Sequence, residues 1–346
     1  MEAKELLLDL IQIHSPSSEE EAIAQYISGL LNDWGITHKL VHISGKSYNI
    51  VINDIYKPKI VIATHLDTVE IDVPLRVISD REISGLGACD AKGSIASLLL
   101  AIKYMDSIPN DISFCFFSDE EKSGAGSAQY LMTHKPSSGL ILEPTELNVC
   151  IEGYGAVEGL IVFKTRKMHP SIAYKLRKDN VIEKSIEILQ KIKKEFMNIG
   201  MEFIVFSINA GNRNQYWIPD TCEVSFDIAI PYPKTPRICI ELLSKLAEKY
   251  GFRFNISEYS PPFKTNDKSF IDKLRKAYSL VFNTSPKLTY MPSWTDANNF
   301  ARAGIPVAVF GPGSLLYAHT DNEKIDLGEV IMASRYIISL VGLFHH

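Results

Sequence analysis

The run Ile60-Val61-Ile62-Ala63-Thr64-His65-Leu66-Asp67-Thr68 decides how this chain is read. Its apolar opening predicts a strand buried on both faces of a parallel sheet. His65 then falls where the strand stops and the chain opens into a crevice, the place where open α/β sheets put their chemistry. Taken alone, H-x-D reads first as an ordinary strand-end pair. Its weight comes from further acidic clusters and one distant histidine, each at another predicted strand end.

Upstream, apolar positions Leu6, Leu7, Leu10, Ile11 and Ile13 predict a helix over 2–14, and Ser15-Pro16-Ser17-Ser18-Glu19-Glu20 punctuates it. Ser18 followed by Glu21 resembles a capping box that opens a second helix to about Leu31. Strands are expected at 38–43, 48–53 and 59–64.

Downstream, a short strand pair at 75–83 leads into Gly85-Leu86-Gly87-Ala88-Cys89-Asp90-Ala91-Lys92-Gly93 and an apolar helix from Ile95 to Met105. A nucleotide-binding reading fails here. G-x-G-x-x-G needs glycine where Asp90 stands, and the Walker spacing is absent. An acid beside a helix N-terminus is instead a natural oxygen ligand for a cation. The strand 112–117 ends in Asp119-Glu120-Glu121, a triplet that elsewhere is often only a solvated turn. Here it should lie beside His65. Gly139–Leu142 is a fourth short strand, ending at Glu143-Pro144-Thr145.

From about Gly153 the texture changes. Strands at 156–165, 203–209 and 222–230 with helices at 181–196 and 236–250 compose a β-α-β-β-α-β, ferredoxin-like module ending near Ser260-Pro261-Pro262. The first pattern then resumes: helix 267–282, the turn Trp294-Thr295-Asp296, helix 297–303, strand 306–310, Ala318-His319-Thr320-Asp321-Asn322-Glu323 and a last helix from about 327. The expectation is an α/β catalytic domain with a mixed, mainly parallel sheet (1–152 and 263–346), interrupted by an inserted α+β domain (153–262).

Composition bounds the rest. A chain of 346 residues, 46% apolar and 22% charged, can bury a sizeable core. Its net charge of -5 argues against a general nucleic-acid binder. Cys89, Cys115, Cys150, Cys222 and Cys239 are odd in number and never in C-x-x-C spacing, which fits a reducing compartment. No signal-peptide pattern and no apolar run of membrane-spanning length is read, so a cytoplasmic chain without membrane or nucleic-acid partners is expected.

His65, Asp67, Asp90, Glu120, Glu121, Glu143 and His319 form a thiolate-free set of imidazoles and carboxylates. Such a set suits Zn²⁺ or Co²⁺ in a hydrolytic site better than a closed structural zinc. The ordered motifs H-x-D, G-x-G-x-x-D-x-K-G, D-E-E, E-P-T and A-H-x-x-N-E resemble the M20 metallopeptidase family across nearly the whole chain. That resemblance implies two cations, one held by His65, Asp90 and Glu143, the other by Asp90, Glu121 and His319, with Asp90 bridging. It implies that Asp67 orients His65 and that Glu120 is the general base acting on a bridging water. It also implies a homodimer formed through the inserted domain.

In that domain, His169 stands where members with this insertion carry a histidine that reaches across a dimer to stabilise the oxyanion, although a plain surface histidine beside Pro170 is an alternative. Asn214 and Arg213 lie in a segment resembling the family's substrate-contacting turn, and Thr295 is a further candidate contact. Where many relatives have D-x-R, this chain has Asp227-Ile228-Ala229, so either another cation, such as Arg213, replaces the usual arginine or the substrate is held differently. Between Lys164 and Glu195 ten Lys/Arg (Lys164, Arg166, Lys167, Lys175, Arg177, Lys178, Lys184, Lys191, Lys193, Lys194) outnumber four acids (Asp179, Glu183, Glu187, Glu195). They form either a solvated helix face or a surface steering an acidic macromolecule.

Within the family the chain most resembles hydrolases that release lysine or ornithine from an acidic amino-group carrier protein of the LysW type, in lysine and arginine biosynthesis. A small-molecule deacylase, such as an acetylornithine deacetylase or succinyl-diaminopimelate desuccinylase, or a dipeptidase or carboxypeptidase, is the rival reading. A silent binding protein on the same fold is the reading from a different class.

Overall fold

The computed structural model describes residues 3–176, 180–214 and 216–345. The chain divides into two compact units, one of 1–152, 264–291 and 295–346, the other of 153–263 and 292–294.

The first unit is built on a mixed nine-stranded sheet. From one edge its strands run His38–Ser44, Ser47–Ile52, Ile112–Phe117, Ile60–His65, Gly139–Ile141, Val307–Val309, Val149–Gly153 and Phe263–Lys264, with Leu288–Met291 paired to Val149–Gly153. The four strands from Ile112–Phe117 to Val307–Val309 are parallel. Every residue of Ile60–His65 and Ile112–Phe117 is buried, because helices cover both faces of a parallel sheet. The apolar helix Gly93–Tyr104 is buried over almost its whole length, and Leu6, Leu10, Phe114, Phe310 and Tyr336 fill the same core. Each large apolar side chain so buried contributes roughly 1.5–3 kcal/mol.

Two expectations are corrected. The capping box does not form. Glu20 is the N-cap of the helix Glu21–Asp33 and its side chain makes no cap hydrogen bond. Ser18 has φ 75°, and its backbone N–H donates to Glu20 Oε1 at 3.1 Å, so the segment folds for another purpose. The other correction concerns apolar runs. The helix Leu327–His345 has the length and hydropathy of a membrane span, but half of it is buried in the protein interior. Val330, Ala333, Ile337 and Leu340 on it belong to the core of the unit.

The second unit is a four-stranded antiparallel sheet in the order Glu202–Ala210, Thr221–Ile230, Gly155–Lys164, Arg253–Ser260. Alternation along Gly155–Lys164 sends Val157, Ile161 and Phe163 to one face, where the helices Val181–Asn198 and Pro236–Tyr250 bury them. This is the ferredoxin-like order that the alternating strand and helix patterns predict.

Candidate metal centre

His65, the acidic triplet and Glu143 arrive because strands stop, whereas Asp90 and His319, also expected at strand ends, come from a turn before a helix and from the loop between Val307–Val309 and Lys324–Asp326. Ile60–His65 ends on His65 itself, Ile112–Phe117 delivers Ser118 to Glu121, and Gly139–Ile141 delivers Glu143. Parallel pairing of these strands puts their carboxyl ends on one edge. Asp90 comes from the turn Ala88–Lys92 that precedes the helix Gly93–Tyr104. Gly87 makes that turn possible: it has φ +77°, and a Cβ there would lie 2.7 Å from Thr68 Cγ2.

His65 Nε2 lies 3.1 Å from Asp90 Oδ1 and 3.8 Å from Glu143 Oε2. His319 Nε2 lies 2.9 Å from Glu121 Oε1 and 3.6 Å from Asp90 Oδ2. The two oxygens of Asp90 therefore face different histidines. Ligand atoms of His65, Asp90 and Glu121 all fall within 4.8 Å of one another.

Electrostatics in this cluster are severe. Burial alone would depress the His65 imidazole, but Glu143, Asp67 and Asp90 overrule it and hold its pKa well above the ordinary value. Desolvation pushes the carboxyls of Glu120, Glu121 and Glu143 up, and their mutual repulsion adds to the shift while His65 or His319 opposes it. Glu143 Oε1 is buried without a hydrogen-bond partner. A buried, partnerless carboxylate oxygen among other acids is what a hard or borderline cation relieves. The donor set of imidazoles and carboxylates, with His65, Asp90 and Glu121 grouped within reach of one ion, therefore fits a metal.

Asp67 is placed somewhat differently from the expectation. The nearest acceptor for His65 Nδ1 is the Asp67 backbone carbonyl at 2.9 Å, with the carboxylate at 3.5 Å. The carboxylate instead accepts N–H groups from Glu120 and Glu121, each at 3.0 Å, and the Ser17 hydroxyl at 2.7 Å. It clamps the acidic turn as well as facing the imidazole.

His169 is exposed at the start of the short helix Pro170–Leu176, its Nδ1 accepting the Ser171 N–H at 3.3 Å. Arg213 and Asn214 are exposed too. Thr295 is only 2% exposed, and its hydroxyl oxygen caps the helix Asp296–Arg302 by accepting the Ala297 N–H. Of the basic run, Lys164, Arg166, Lys167, Lys175, Lys191, Lys193 and Lys194 are exposed, whereas Arg177, Lys178 and Asp179 lie outside the described residues.

Sequence reasoning gave no role to four buried acids and bases that support the site. Glu20 accepts the Ser47 hydroxyl at 2.6 Å and the Asp119 N–H at 2.9 Å, which explains the fold of its segment. Asp296, fully buried against Ser127, has its carboxyl pushed up to about 7 chiefly by desolvation. Lys92 donates to the Ile13 carbonyl at 2.7 Å, and burial lowers its pKa to about 8. Glu323 accepts three backbone N–H groups from Gly87, Cys89 and Asp90. The available signal was proximity in sequence, since each sits within or beside a motif already singled out.

Residues 61–342 match the family described as peptidase family M20/M25/M40. The chain belongs to that family. Membership makes it a metal-dependent hydrolase acting on amide bonds. A [LysW]-lysine/[LysW]-ornithine hydrolase of Saccharolobus islandicus is 24% identical over 345 residues, covering 99% of this chain and 96% of the relative. Among solved M20-like folds, a tripeptidase from Staphylococcus aureus superposes with TM-score 0.79 at 18% identity, covering 99% of this chain and 98% of the other. A dinuclear metal-binding M20 peptidase of Bacillus subtilis superposes with TM-score 0.69 at 15% identity, covering 99% and 97%.

Proposed function

We propose that this M20 hydrolase releases lysine or ornithine from an acidic amino-group carrier protein, by cleaving the amide between a carrier glutamate side chain and the α-amine of the amino acid. The observation that carries the chemistry is Asp90, whose Oδ1 faces His65 and whose Oδ2 faces His319. In this reading His65, Asp90 and Glu143 would hold one cation, Zn²⁺ or Co²⁺, and Asp90, Glu121 and His319 the other. When bound, the pair acidifies water and polarises the amide carbonyl.

The chain's own residues do the rest. Glu120 is held beside this set by its N–H bond to Asp67, and its carboxylate takes the proton of the attacking water. The same oxygen returns that proton to the leaving nitrogen as the C–N bond breaks. His169 supplies hydrogen bonding to the oxyanion, while Arg213, Asn214 and Thr295 are the proposed substrate contacts.

Support for a carrier-bound substrate comes from the name of the full-length relative and from exposed Lys164, Arg166, Lys167 and Lys175 near His169 in the sequence. A cytoplasmic homodimer completes the reading. The edge strand Glu202–Ala210 leaves Ile204, Val205, Phe206 and Ile208 38–66% exposed, an apolar edge of the kind that pairs with a second copy.

The rival reading, a small-molecule deacylase or dipeptidase, draws on the peptidase folds that superpose on this chain. Incubating the metal-loaded enzyme with carrier-linked lysine, acetylornithine and dipeptides, and following released amino acid, separates the two. Release from the carrier conjugate is the expected result; cleavage of the free small molecules alone overturns it.

A further inference from the structure

Glu323 ends the loop that supplies His319, and the ligand set leaves it without a task. It is 1% exposed. Its Oε2 accepts the Gly87 N–H at 2.9 Å, and its Oε1 accepts those of Cys89 at 3.0 Å and Asp90 at 3.1 Å. Its backbone carbonyl takes the Gly85 N–H at 3.3 Å as well. A buried anion next to a second anion is costly: burial pushes the Glu323 carboxyl up, and nearby Asp90 adds to it. Three charge-assisted bonds are what offset that cost.

The turn they hold needs an external clamp. Asp90 and Ala91 have non-helical φ/ψ, -128°, 92° and -125°, 32°, so regular helical hydrogen bonding does not set the direction of the Asp90 side chain. We propose that Glu323 is the positioning residue for Asp90. It fixes the backbone N–H of Asp90 so that one carboxylate oxygen stays turned to His65 and the other to His319. Because His319 and Glu323 share a loop, a ligand of one cation and the clamp on the shared carboxylate move together, so the two cation sites are mechanically coupled. The inference rests on the two-cation reading of Asp90 given above.

The test is titration of the metal-free chain with Co²⁺, read by calorimetry and by the visible absorption of the bound ion, alongside thermal melting. Glu323→Gln keeps an acceptor for Cys89 and Asp90 but opposes an amide N–H to that of Gly87. Glu323→Ala removes all three acceptors. The expected result is graded: several-fold weaker Co²⁺ binding for Gln and roughly 10- to 100-fold for Ala, the usual range for residues that orient ligands. In the loaded enzyme kcat should fall with KM unchanged.

Leu340→Ala, a core truncation on the last helix, serves as the stability control and should keep wild-type Co²⁺ affinity despite its lower melting temperature. Wild-type affinity in Glu323→Gln, or an equal loss in Leu340→Ala, overturns the positioning role. Should Glu323→Ala fail to fold, the Gln variant decides. A wild-type chain that takes up no Co²⁺ refutes the two-cation reading itself, a failure distinct from wild-type uptake that the variants leave unchanged.

Discussion

His65, Glu120 and Glu143 are 1%, 8% and 3% exposed, and the backbone that carries them is tied down several times over. Asp67 holds the N–H groups of Glu120 and Glu121, and Glu20 holds that of Asp119. In the inserted unit, His169, Arg213 and Asn214 are exposed, and their recorded polar contacts are local, such as the Asn214 N–H to Asn212 Oδ1. The contrast is between a site built mainly on strand ends, where buried hydrogen bonds impose the geometry, and exposed residues whose contacts stay within their own segment. Chemistry that depends on short distances calls for the first kind of region, and the proposed substrate contacts fall in the second.

The sharpest way to break this contrast is inside the rigid half. Glu120→Ala should lower kcat by about 10²- to 10⁴-fold while metal content, measured by atomic absorption, stays at the wild-type level. Glu121→Ala should lose metal as well as activity. If Glu120→Ala kept near-normal turnover, the division of labour between adjacent acids would be wrong.

In the exposed half, His169→Ala should reduce kcat by roughly 10²- to 10³-fold, as loss of one oxyanion donor does, with no change in melting temperature or metal content. A large fall in melting temperature would place His169 among structural residues and erase the contrast.

A smaller effect concerns stability in the inserted unit. Asp227 faces Glu158 across the strand pair, one of its oxygens is buried without a partner, and desolvation pushes its carboxyl up to about 6. The unfolded chain loses that proton near pH 4, so between about pH 4 and 6 the folded state binds more protons than the unfolded one. Stability should therefore fall as pH rises through that window, by at most about 3 kcal/mol. Urea midpoints at several pH values should show that slope, and Asp227→Asn should flatten it.

Much of this architecture was legible in the chain. Apolar Ile60-Val61-Ile62-Ala63 and the run 112–117 have the length and pattern of strands covered on both faces, and alternation in 156–165 has that of a sheet with one open face. Polar residues that break such runs at their carboxyl ends mark a site because parallel neighbours must finish on the same side. The supporting contacts were not legible. Ser18 offers the same pattern to a capping box as to the strap actually formed, and nothing local reveals that Glu20 would bond a residue 99 positions away.

Sequence by itself thus determined the two kinds of layer, the chain positions of the acids and histidines, and membership in a hydrolase family. Only the tertiary structure decided that Asp90 turns one oxygen to His65 and the other to His319, that Asp67 clamps the acidic turn, and that Glu323 gathers three N–H groups of the Asp90 loop. The physical reason is range. Periodicity and strand termination are set by neighbours along the chain, whereas the direction of a buried carboxylate is set by donors brought together from distant segments, and packing alone selects which ones meet.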